Sequence, residues 1–481
     1  MGTIEDLDAY VAGNSARFVD ELKDFIRIPS ISAEAARHDD VVHAAEYLKA
    51  AAEQAGFTKA ELLPTGANPA VYAERIVDPS LPTVLVYGHY DVQPADPKQW
   101  ASPPFQPEIR DGNIYGRGAV DDKGQVWMHL KAVEAYLRTG HELPVNLKLI
   151  VEGNEESNDA PFADLVEREK TRLAADAIVI SDTDMFSKDV PSLTISLRGV
   201  AQVQATVHGP DTELHSGSFG GAVGNPVAIL DSIIASLHDA DGRVTVPGFY
   251  DDVLPTSPAV TDSIAKLPFD AATFAREAGN VPALGGEKGF SVLEQLWTRP
   301  TLEVVGQGGG YQGEGFQNTI PRDATVKIVA RLVPGQDPQK TADQIAKAIV
   351  DAAPPTVRID IDSAKGGGRA VVTSTDSPAI RAASSAMHDV FGKPVLFTGE
   401  GGSIPVVETF GRVLNLSAAL VGVGLSTDGY HGPNEKFGID RFTNGIRVIG
   451  RLWNQIGAEL AGPAPQPVRV AAAPPVRDIG M

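Results

Sequence analysis

Two patterns of apolar residues alternate between positions 14 and 190. Three segments, 18–26, 41–52 and 126–137, repeat apolar side chains at the spacing that predicts helices. Short uninterrupted apolar runs separate them and predict buried strands at 83–88, 145–151 and 177–180. Helices that alternate with buried strands are typical of an α/β fold with a mostly parallel sheet.

A different pattern begins near Arg198. Apolar and polar residues alternate at 203–207 and 326–332, which is typical of antiparallel strands with one buried face. A helix is predicted at 230–237, and the stretch 244–300 is predicted to be rich in loops. We therefore predict that residues 198–374 form an α+β domain inserted into the α/β domain.

The α/β pattern returns after Ser377. Helices are predicted at 380–391 and 442–456, with a strand at 413–421 between them. The larger domain is thus predicted to comprise residues 1–197 and 375–460. Residues 461–481 are rich in Pro and Ala without periodicity, which predicts a flexible tail.

The composition excludes several classes of protein. The 481 residues contain no cysteine, which excludes disulfides, thiol nucleophiles and Cys-ligated metals. A formal net charge of -21 argues against nucleic acid as a partner. The N-terminus carries Glu5, Asp6 and Asp8 without an apolar run, and no stretch has the roughly 18 uninterrupted apolar residues of a membrane span. We expect a multidomain cytoplasmic protein that binds neither nucleic acid nor membranes.

Acidic residues and histidines follow the predicted strands. His89 and Asp91 follow the run at 83–88, and residues two apart in extended backbone point the same way, so Asp91 can reach His89. A carboxylate on the second ring nitrogen of a histidine orients a metal-binding imidazole. The structural alternative is a capping Asp beside a surface His.

Four further segments have this character, although each could also be a turn, a helix cap or a solvated loop. They are 116–124 with Asp121 and Asp122, 152–157 with Glu155 and Glu156, 181–184 with Asp182, and 429–432 with His431. Functional groups of open parallel sheets collect beyond the carboxyl ends of the strands. Together these groups form a nitrogen and oxygen ligand set that suits a pair of zinc, cobalt or manganese ions.

These segments, in their order along the chain, resemble the carnosinase-like dipeptidases of the aminoacylase/carboxypeptidase clan of di-zinc metallopeptidases. The resemblance extends over residues 14–460. The motifs that carry it include Gly88-His89-Tyr90-Asp91, Asp121-Asp122-Lys123-Gly124, Glu155-Glu156, Leu214-His215-Ser216-Gly217, Ala330-Arg331-Leu332 and Glu400-Gly401-Gly402-Ser403.

The resemblance implies two metal ions in each subunit, zinc in the first place and manganese or cobalt as alternatives. The implied ligands are His89 and Asp182 for one ion, Glu156 and His431 for the other, and Asp121 for both. Glu155 is implied as the general base and acid, and Asp91 as the residue that orients His89.

In the inserted domain, the resemblance implies that His215 stabilises the oxyanion and that Arg331 holds the substrate carboxylate, a task that suits the bidentate guanidinium group. Without the resemblance, His215 is more simply a loop histidine and Arg331 a solvated strand residue. Asn318 and Ser403 are candidates for contacts to the substrate main chain. The family also implies that this domain is a lid, that it forms a homodimer, and that His215 enters the active site of the other subunit.

We therefore predict a dipeptidase that cleaves small peptides with a hydroxide bridging the two metals and Glu155 as the general base. Two alternatives stay open. One is an N-acyl amino acid amidohydrolase or a carboxypeptidase of the same clan. The other is a metal-binding protein without catalysis, which Glu155 disfavours because only the reaction requires a carboxylate there that binds no metal.

Overall fold

The structure is a computed structural model that describes residues 2–157, 160–402 and 404–460. The helices are α1 (Thr3–Ile26), α2 (His38–Ala55), α3 (Lys123–Arg138), α4 (Ala160–Arg168), α5 (Lys170–Leu173), α6 (Ser216–Phe219), α7 (Pro226–Ser236), α8 (Pro258–Lys266), α9 (Ala271–Glu277), α10 (Val292–Trp297), α11 (Pro338–Asp351), α12 (Pro378–Phe391), α13 (Pro405–Leu414) and α14 (Ile439–Leu460). The strands are β1 (Lys59–Leu63), β2 (Ala70–Arg75), β3 (Thr83–His89), β4 (Glu108–Arg110), β5 (Asn113–Tyr115), β6 (Asn146–Glu152), β7 (Ala177–Ile180), β8 (Asp184–Met185), β9 (Ser192–Leu197), β10 (Gly199–His208), β11 (Leu214–His215), β12 (Thr301–Gly309), β13 (Thr319–Ile320), β14 (Asp323–Leu332), β15 (Arg358–Gly366), β16 (Val371–Val372), β17 (Leu396–Glu400), β18 (Ala418–Leu420), β19 (Gly424–Leu425) and β20 (Lys436–Gly438).

The larger sheet has a parallel centre. Its strands run in the order β1-β2-β6-β3-β7-β18-β9-β16, and β17 pairs with β9. The central strands β6, β3, β7 and β18 are parallel to their neighbours within that group. Helix α3 precedes β6 and helices α4 and α5 precede β7, as the crossover connections of parallel strands require. The predicted α/β fold is therefore confirmed, and antiparallel pairs occur on both flanks.

Both faces of this sheet are covered because the central strands are apolar on both sides. In β3, Val84 and Val86 face one core cluster, whereas Leu85 and Tyr87 face the other, as the alternation of side chains along a strand dictates. The first cluster receives side chains from α1, α2, α3, α12 and α14, and the second from α4 and α13. The sheet is thus held between two layers of helices.

A second sheet has the order β12-β14-β10-β15 and is antiparallel throughout. Alternate residues of β10 and β14 are buried against α7 and α11, which form their own core cluster with the sheet. The α+β character predicted for the inserted segment is present here. The boundaries 198 and 374 remain a prediction, and β16, which lies inside that range, pairs with β9 of the larger sheet.

One predicted element was incomplete and another was wrong. The stretch 244–300, predicted to be rich in loops, also contains three short helices, α8, α9 and α10, and Val260, Ile264 and Leu293 from it pack into the core of the larger domain. Residues 413–421 are not one strand, because Val413 belongs to α13, and the strand β18 is confined to Ala418–Leu420. The left-handed backbone of Asn415, with a φ of 55°, ends the helix.

The predictions for the tail at 461–481 and for Ser403 concern residues outside the described ranges. Within those ranges, no helix has both the length and the apolar character needed to cross a membrane.

Candidate active site

The parallel centre of the larger sheet brings three of the predicted segments to one edge. β3 ends at His89 and β6 at Glu152, and these two residues are paired in register. The loop after β6 carries Glu155 and Glu156, and β7 ends two residues before Asp182. Because parallel strands end on the same side of a sheet, these side chains meet at that edge.

The first cluster of possible metal ligands contains His89, Asp121 and Asp182. His89 Nε2 lies 3.1 Å from Asp121 Oδ1 and 3.7 Å from Asp182 Oδ2. The imidazole is fully buried, and the two carboxylates are almost so. Three possible ligand atoms therefore lie around one small volume at the edge of the sheet.

The second cluster contains Asp121, Glu156 and His431. His431 Nε2 lies 3.1 Å from Asp121 Oδ2 and 3.1 Å from Glu156 Oε2. Gln93 Nε2 donates a hydrogen bond of 2.9 Å to the same Glu156 oxygen. Asp121 thus presents one oxygen to each cluster, the arrangement expected of a carboxylate that bridges two ions.

These five side chains fit a pair of metal ions. Two ligands that bind zinc tetrahedrally at about 2.1 Å are separated by about 3.4 Å, a value between the 3.1 Å and 3.7 Å found around His89 Nε2. Burial, followed by the negative charge of Asp122, raises the pKa of the Asp182 carboxyl well above its usual range. Bound cations would oppose this repulsion. The geometry and the donor chemistry support a dinuclear metal site.

The orientation of His89 is fixed on its other nitrogen. His89 Nδ1 lies 3.0 Å from the backbone carbonyl oxygen of Asp91 and 3.6 Å from its carboxylate Oδ1. Asp91 Oδ2 accepts hydrogen bonds from Ser32 Oγ at 2.6 Å and from the backbone N–H of Glu156 at 3.1 Å. Asp91 thus lies next to His89, as predicted. Its backbone carbonyl is closer to His89 Nδ1 than its carboxylate is. The carboxylate also holds the loop that carries Glu156.

Gly88 is required by the close approach of α3 to the end of β3. A Cβ atom at this position would lie 2.4 Å from Val126 Cγ2 and 2.5 Å from Asp122 Oδ2. Asp122 accepts a hydrogen bond from the backbone N–H of His89 at 3.3 Å and belongs to neither cluster. It supports the backbone of a ligand residue without taking part in the ligand set.

A cleft of about 360 Å³ opens beside the two clusters. Asp121, Asp182 and His431 line this cleft together with Glu155, which belongs to neither cluster. Burial, with the negative charge of Glu156, raises the pKa of Glu155 to about 7. A carboxyl group that faces the ligands without joining them is positioned to exchange protons with a bound substrate.

A buried ion pair that sequence reasoning missed joins two parts of the site. Glu435 is fully buried and accepts hydrogen bonds from Arg117 Nη1 at 2.7 Å and from the backbone N–H groups of Gly118, Val120 and Asp121 at 3.0–3.2 Å. Arg117 Nη2 donates to the carbonyl oxygen of His431 at 3.0 Å. The pair therefore links the backbones of two ligand residues. Glu435 lies three residues beyond the segment 429–432, and no feature of the sequence near it pointed to this pair.

The residues predicted in the inserted segment belong to neither cluster of possible metal ligands. His215 is exposed, its Nδ1 accepts a hydrogen bond from the N–H of Gly217, and β11 pairs with β13 beside Asn318. Arg331 is half-buried on β14, opposite Val200 of β10. None of these three predicted residues lines the cleft, whose described walls come from residues 121–184 and 400–431.

The sequence profile of peptidase family M20/M25/M40 matches residues 85–455, which include all five cluster residues. The chain belongs to this peptidase family. The prediction of a peptidase of this clan is therefore confirmed. As a member of the M20/M25/M40 family, the chain is a metal-dependent peptidase, and two clusters of possible metal ligands lie at the carboxyl edge of its parallel sheet.

Individual members of the family are similar over most of the chain. Cys-Gly metallodipeptidase DUG1 of Candida albicans is 32% identical over 481 residues, which cover 95% of this chain and 96% of that protein. Beta-Ala-His dipeptidase of Homo sapiens is 32% identical, covering 80% of this chain and 77% of its own. The solved structure of the M20 family metallo-carboxypeptidase Sso-CP2 from Sulfolobus solfataricus has a TM-score of 0.79 at 32% identity, covering 92% of this chain and 99% of that one.

Proposed function

We propose that this peptidase hydrolyses the peptide bond of dipeptides with the help of two metal ions. The observation that carries the proposal is the pair of ligand clusters that share Asp121, with Glu155 facing them from the wall of the cleft. Relatives at 32% identity over most of their length are named for the hydrolysis of Cys-Gly and of Beta-Ala-His. An inactive metal-binding protein has no need of Glu155 in this position.

His89 and Asp182 would hold one ion, Glu156 and His431 the other, and Asp121 both. A mixed imidazole and carboxylate set without thiolates suits zinc, with manganese or cobalt as alternatives. When bound, such a pair of ions supplies Lewis acidity and an activated water. Asp91 keeps His89 in the required orientation through the contacts to its Nδ1.

Glu155 would act as the general base and then as the general acid. It lines the cleft and is not used as a ligand, so its carboxylate is free to accept the proton of the attacking water. The same carboxyl group then delivers that proton to the leaving amine. Its position in the loop after β6, next to Glu156, places it on the wall of the cleft beside the ligand clusters.

Three of the substrate-binding groups would come from the inserted segment, and the fourth, Ser403, from the larger domain. Arg331 would pair with the C-terminal carboxylate of the dipeptide, Asn318 and Ser403 would contact its main chain, and His215 would stabilise the oxyanion. Since His215 is exposed and does not line the cleft of its own chain, we propose that it acts in the other subunit of a homodimer.

The surface of the inserted segment supports such a dimer. β12 lies at the edge of its sheet, and Val305 in it exposes 61% of its area. Tyr311 and Phe316 are 51% and 100% exposed, and Phe219, four residues from His215, is 43% exposed. Apolar side chains of this size around an unpaired strand edge favour contact with a second copy. A two-fold dimer would give each subunit the same group from the other.

The activity is tested with one purified sample and a panel of dipeptides, tripeptides and N-acyl amino acids, with zinc, manganese or cobalt added. Cleavage of dipeptides in preference to the other classes is expected. Preference for N-acyl amino acids or for longer peptides would instead favour an amidohydrolase or a carboxypeptidase.

The roles of the two adjacent glutamates are separated by Glu155→Gln and Glu156→Gln. The first variant should keep both metals and lose on the order of 10²–10⁴-fold in rate, as expected for general acid–base catalysis. The second should bind metal more weakly. Elemental analysis of both proteins is the measurement, and loss of metal or near-normal turnover in Glu155→Gln would contradict the assignment.

The shared site is tested by complementation. Glu155→Ala and His215→Ala are co-expressed with different tags, and the mixed dimer is isolated. If His215 acts in the other subunit, one site of the mixed dimer has both residues and the other has neither, so about half of the activity returns. If His215 acts within its own chain, both sites are damaged and the mixed dimer stays inactive.

A further inference from the structure

A second and larger cavity adjoins the metal cleft. Its volume is about 550 Å³, compared with about 360 Å³ for the cleft. Asp184, Glu400 and Ser426 line both of them, so these residues form the boundary between the two spaces. A substrate that reaches the metal ligands can therefore extend across this boundary.

The walls of the second cavity are largely apolar. The large apolar side chains that line it are Phe186, Phe269, Phe274, Leu293, Leu296 and Trp297. Most of them belong to the segment of α8, α9 and α10, which packs against the larger domain at β17, while Thr194 and Thr398 close the cavity on the side of the sheet. An apolar pocket with a few polar groups at one end is the usual form of a site for a small organic group.

The boundary carries two carboxyl groups, those of Asp184 and Glu400, that have no cationic partner among the described residues. Asp184 Oδ1 is buried, and its polar neighbour is the hydroxyl group of Tyr430. Burial raises the pKa of the Glu400 carboxyl, and no neighbouring cation opposes that effect. Within the described ranges, neither carboxylate forms an ion pair with a lysine, arginine or histidine. Two carboxyl groups held near each other in this way favour a positively charged ligand.

A dipeptide offers one cation that suits this position. Its α-ammonium group is attached to the Cα atom that also bears the N-terminal side chain and the scissile carbonyl. When the carbonyl lies at the metal ligands, the ammonium and the side chain must lie next to it. The C-terminal carboxylate would be repelled from the same boundary.

We propose that Asp184 and Glu400 bind the α-ammonium group of the substrate and that the apolar cavity receives the side chain of its N-terminal residue. The proposal rests on the dipeptidase function given above and adds its specificity. The substrates favoured are dipeptides with a free amino terminus and a large apolar or aromatic first residue. N-Acyl amino acids lack the ammonium group and are disfavoured.

The side-chain part is tested with two series of dipeptides, Gly-Ala, Ala-Ala, Leu-Ala and Phe-Ala against Ala-Gly, Ala-Leu and Ala-Phe. In the wild type, kcat/KM should rise from Gly-Ala to Phe-Ala by at least about 10-fold, the scale by which apolar pockets discriminate. Phe274→Ala should flatten this series and leave the second series unchanged, while Phe274→Leu should preserve most of the preference. If Phe274→Ala changes kcat/KM in the second series alone, the cavity receives the C-terminal side chain, and the proposal is overturned.

The charge part compares Leu-Ala with 4-methylpentanoyl-alanine, which has the same shape without the ammonium group. The wild type should prefer Leu-Ala by about 10²-fold or more. The acyl compound has no ammonium group to pair with the carboxylates at the boundary, and they stay without a charged partner when it binds. Glu400→Gln should reduce that ratio at least about 10-fold with unchanged metal content. The matched control is Glu408→Gln, which changes a carboxylate outside both cavities and should leave the ratio as it is.

The outcomes separate the two levels of inference. If the metal-loaded wild type cleaves the acyl compound and not Leu-Ala, the dipeptidase function fails and this subsite fails with it. If it cleaves Leu-Ala with the expected preference and Glu400→Gln leaves the ratio unchanged, the function stands and the subsite is refuted. If Lys-Ala is the one dipeptide with a higher kcat/KM than Gly-Ala, the carboxylates bind the cation of a side chain. That result also overturns the proposal.

Discussion

Replacing Glu435 by glutamine should weaken metal binding, although Glu435 is not a ligand. The carboxylate accepts one charged hydrogen bond from Arg117 and three from backbone N–H groups. Glutamine keeps the shape but removes the charge, and its NH₂ group replaces one of the two acceptor oxygens. Either Arg117 and Gly118, or Val120 and Asp121, then face a donor instead of an acceptor.

The size of the effect follows from these contacts. Removing one partner of a buried ion pair costs about 3–5 kcal/mol of stability. Groups behind the ligands of a metal site change metal affinity by about 10–100-fold. Asp121 belongs to both ligand clusters, but His431, which Arg117 contacts, belongs to the second alone. We therefore expect the second ion to be weakened more than the first.

The assay is a zinc titration against a chelating dye, which resolves two dissociation steps, combined with urea unfolding of the metal-free protein. The matched control is Glu134→Gln. Glu134 is a buried carboxylate on α3 that pairs with Arg17 and, at 3.0 Å, with Lys131, and it has no contact with a ligand loop. The control should lose stability and keep both zinc affinities. Equal loss of zinc affinity in the two variants, or none in Glu435→Gln, would refute the reasoning.

Three further outcomes are expected. Amidating the C-terminus of a dipeptide should lower kcat/KM by about 10²-fold or more in the wild type and much less in Arg331→Ala, because the carboxylate that pairs with Arg331 is then absent. Saturating zinc at 100 times its dissociation constant should raise the free energy of unfolding by about 2.7 kcal/mol per site, measured by urea unfolding with and without chelator. Burial lowers the pKa of His129 to about 3, so only the unfolded chain takes up a proton as the pH falls through the usual histidine range. Stability should therefore decrease by about 2 kcal/mol from pH 7 to pH 5, and His129→Gln should abolish this part of the pH dependence.

The clustered residues could be predicted because their positions follow from local sequence and one rule of topology. The apolar runs that become β3, β6 and β7 are short, continuous and followed at once by acids or a histidine. Once these strands are parallel neighbours, their ends must meet. The segments that carry His89, the Glu155-Glu156 pair and Asp182 needed no further information, but the assignment of individual ligands within them came from the family resemblance. The segments of Asp121 and His431 were also recognised as candidates, but the choice of Asp121 over Asp122 as the bridge depended on the family resemblance.

Glu435 could not be predicted, because its partners are far away along the chain. Its hydrogen bond to the N–H of Asp121 spans 314 residues. In the sequence it is one more acid on a polar turn, and nothing local distinguishes it from a solvated carboxylate. The helices at 258–297 were missed for a related reason. α8, α9 and α10 are 9, 7 and 6 residues long, too short for an apolar pattern to repeat over several turns.

The residues that line the metal cleft and those that line the second cavity come from different parts of the sequence. The described residues that line the metal cleft follow strands and motifs of the larger domain, so the reaction is set by positions that relatives with the same pattern also need. Phe269, Phe274 and Trp297 of the second cavity come instead from the weakly patterned segment around α9 and α10. Changes there alter the shape offered to a substrate without touching a ligand. Relatives at equal identity to this chain are named for dipeptides as different as Cys-Gly and Beta-Ala-His, which is the outcome expected if the choice of substrate is made by such a segment.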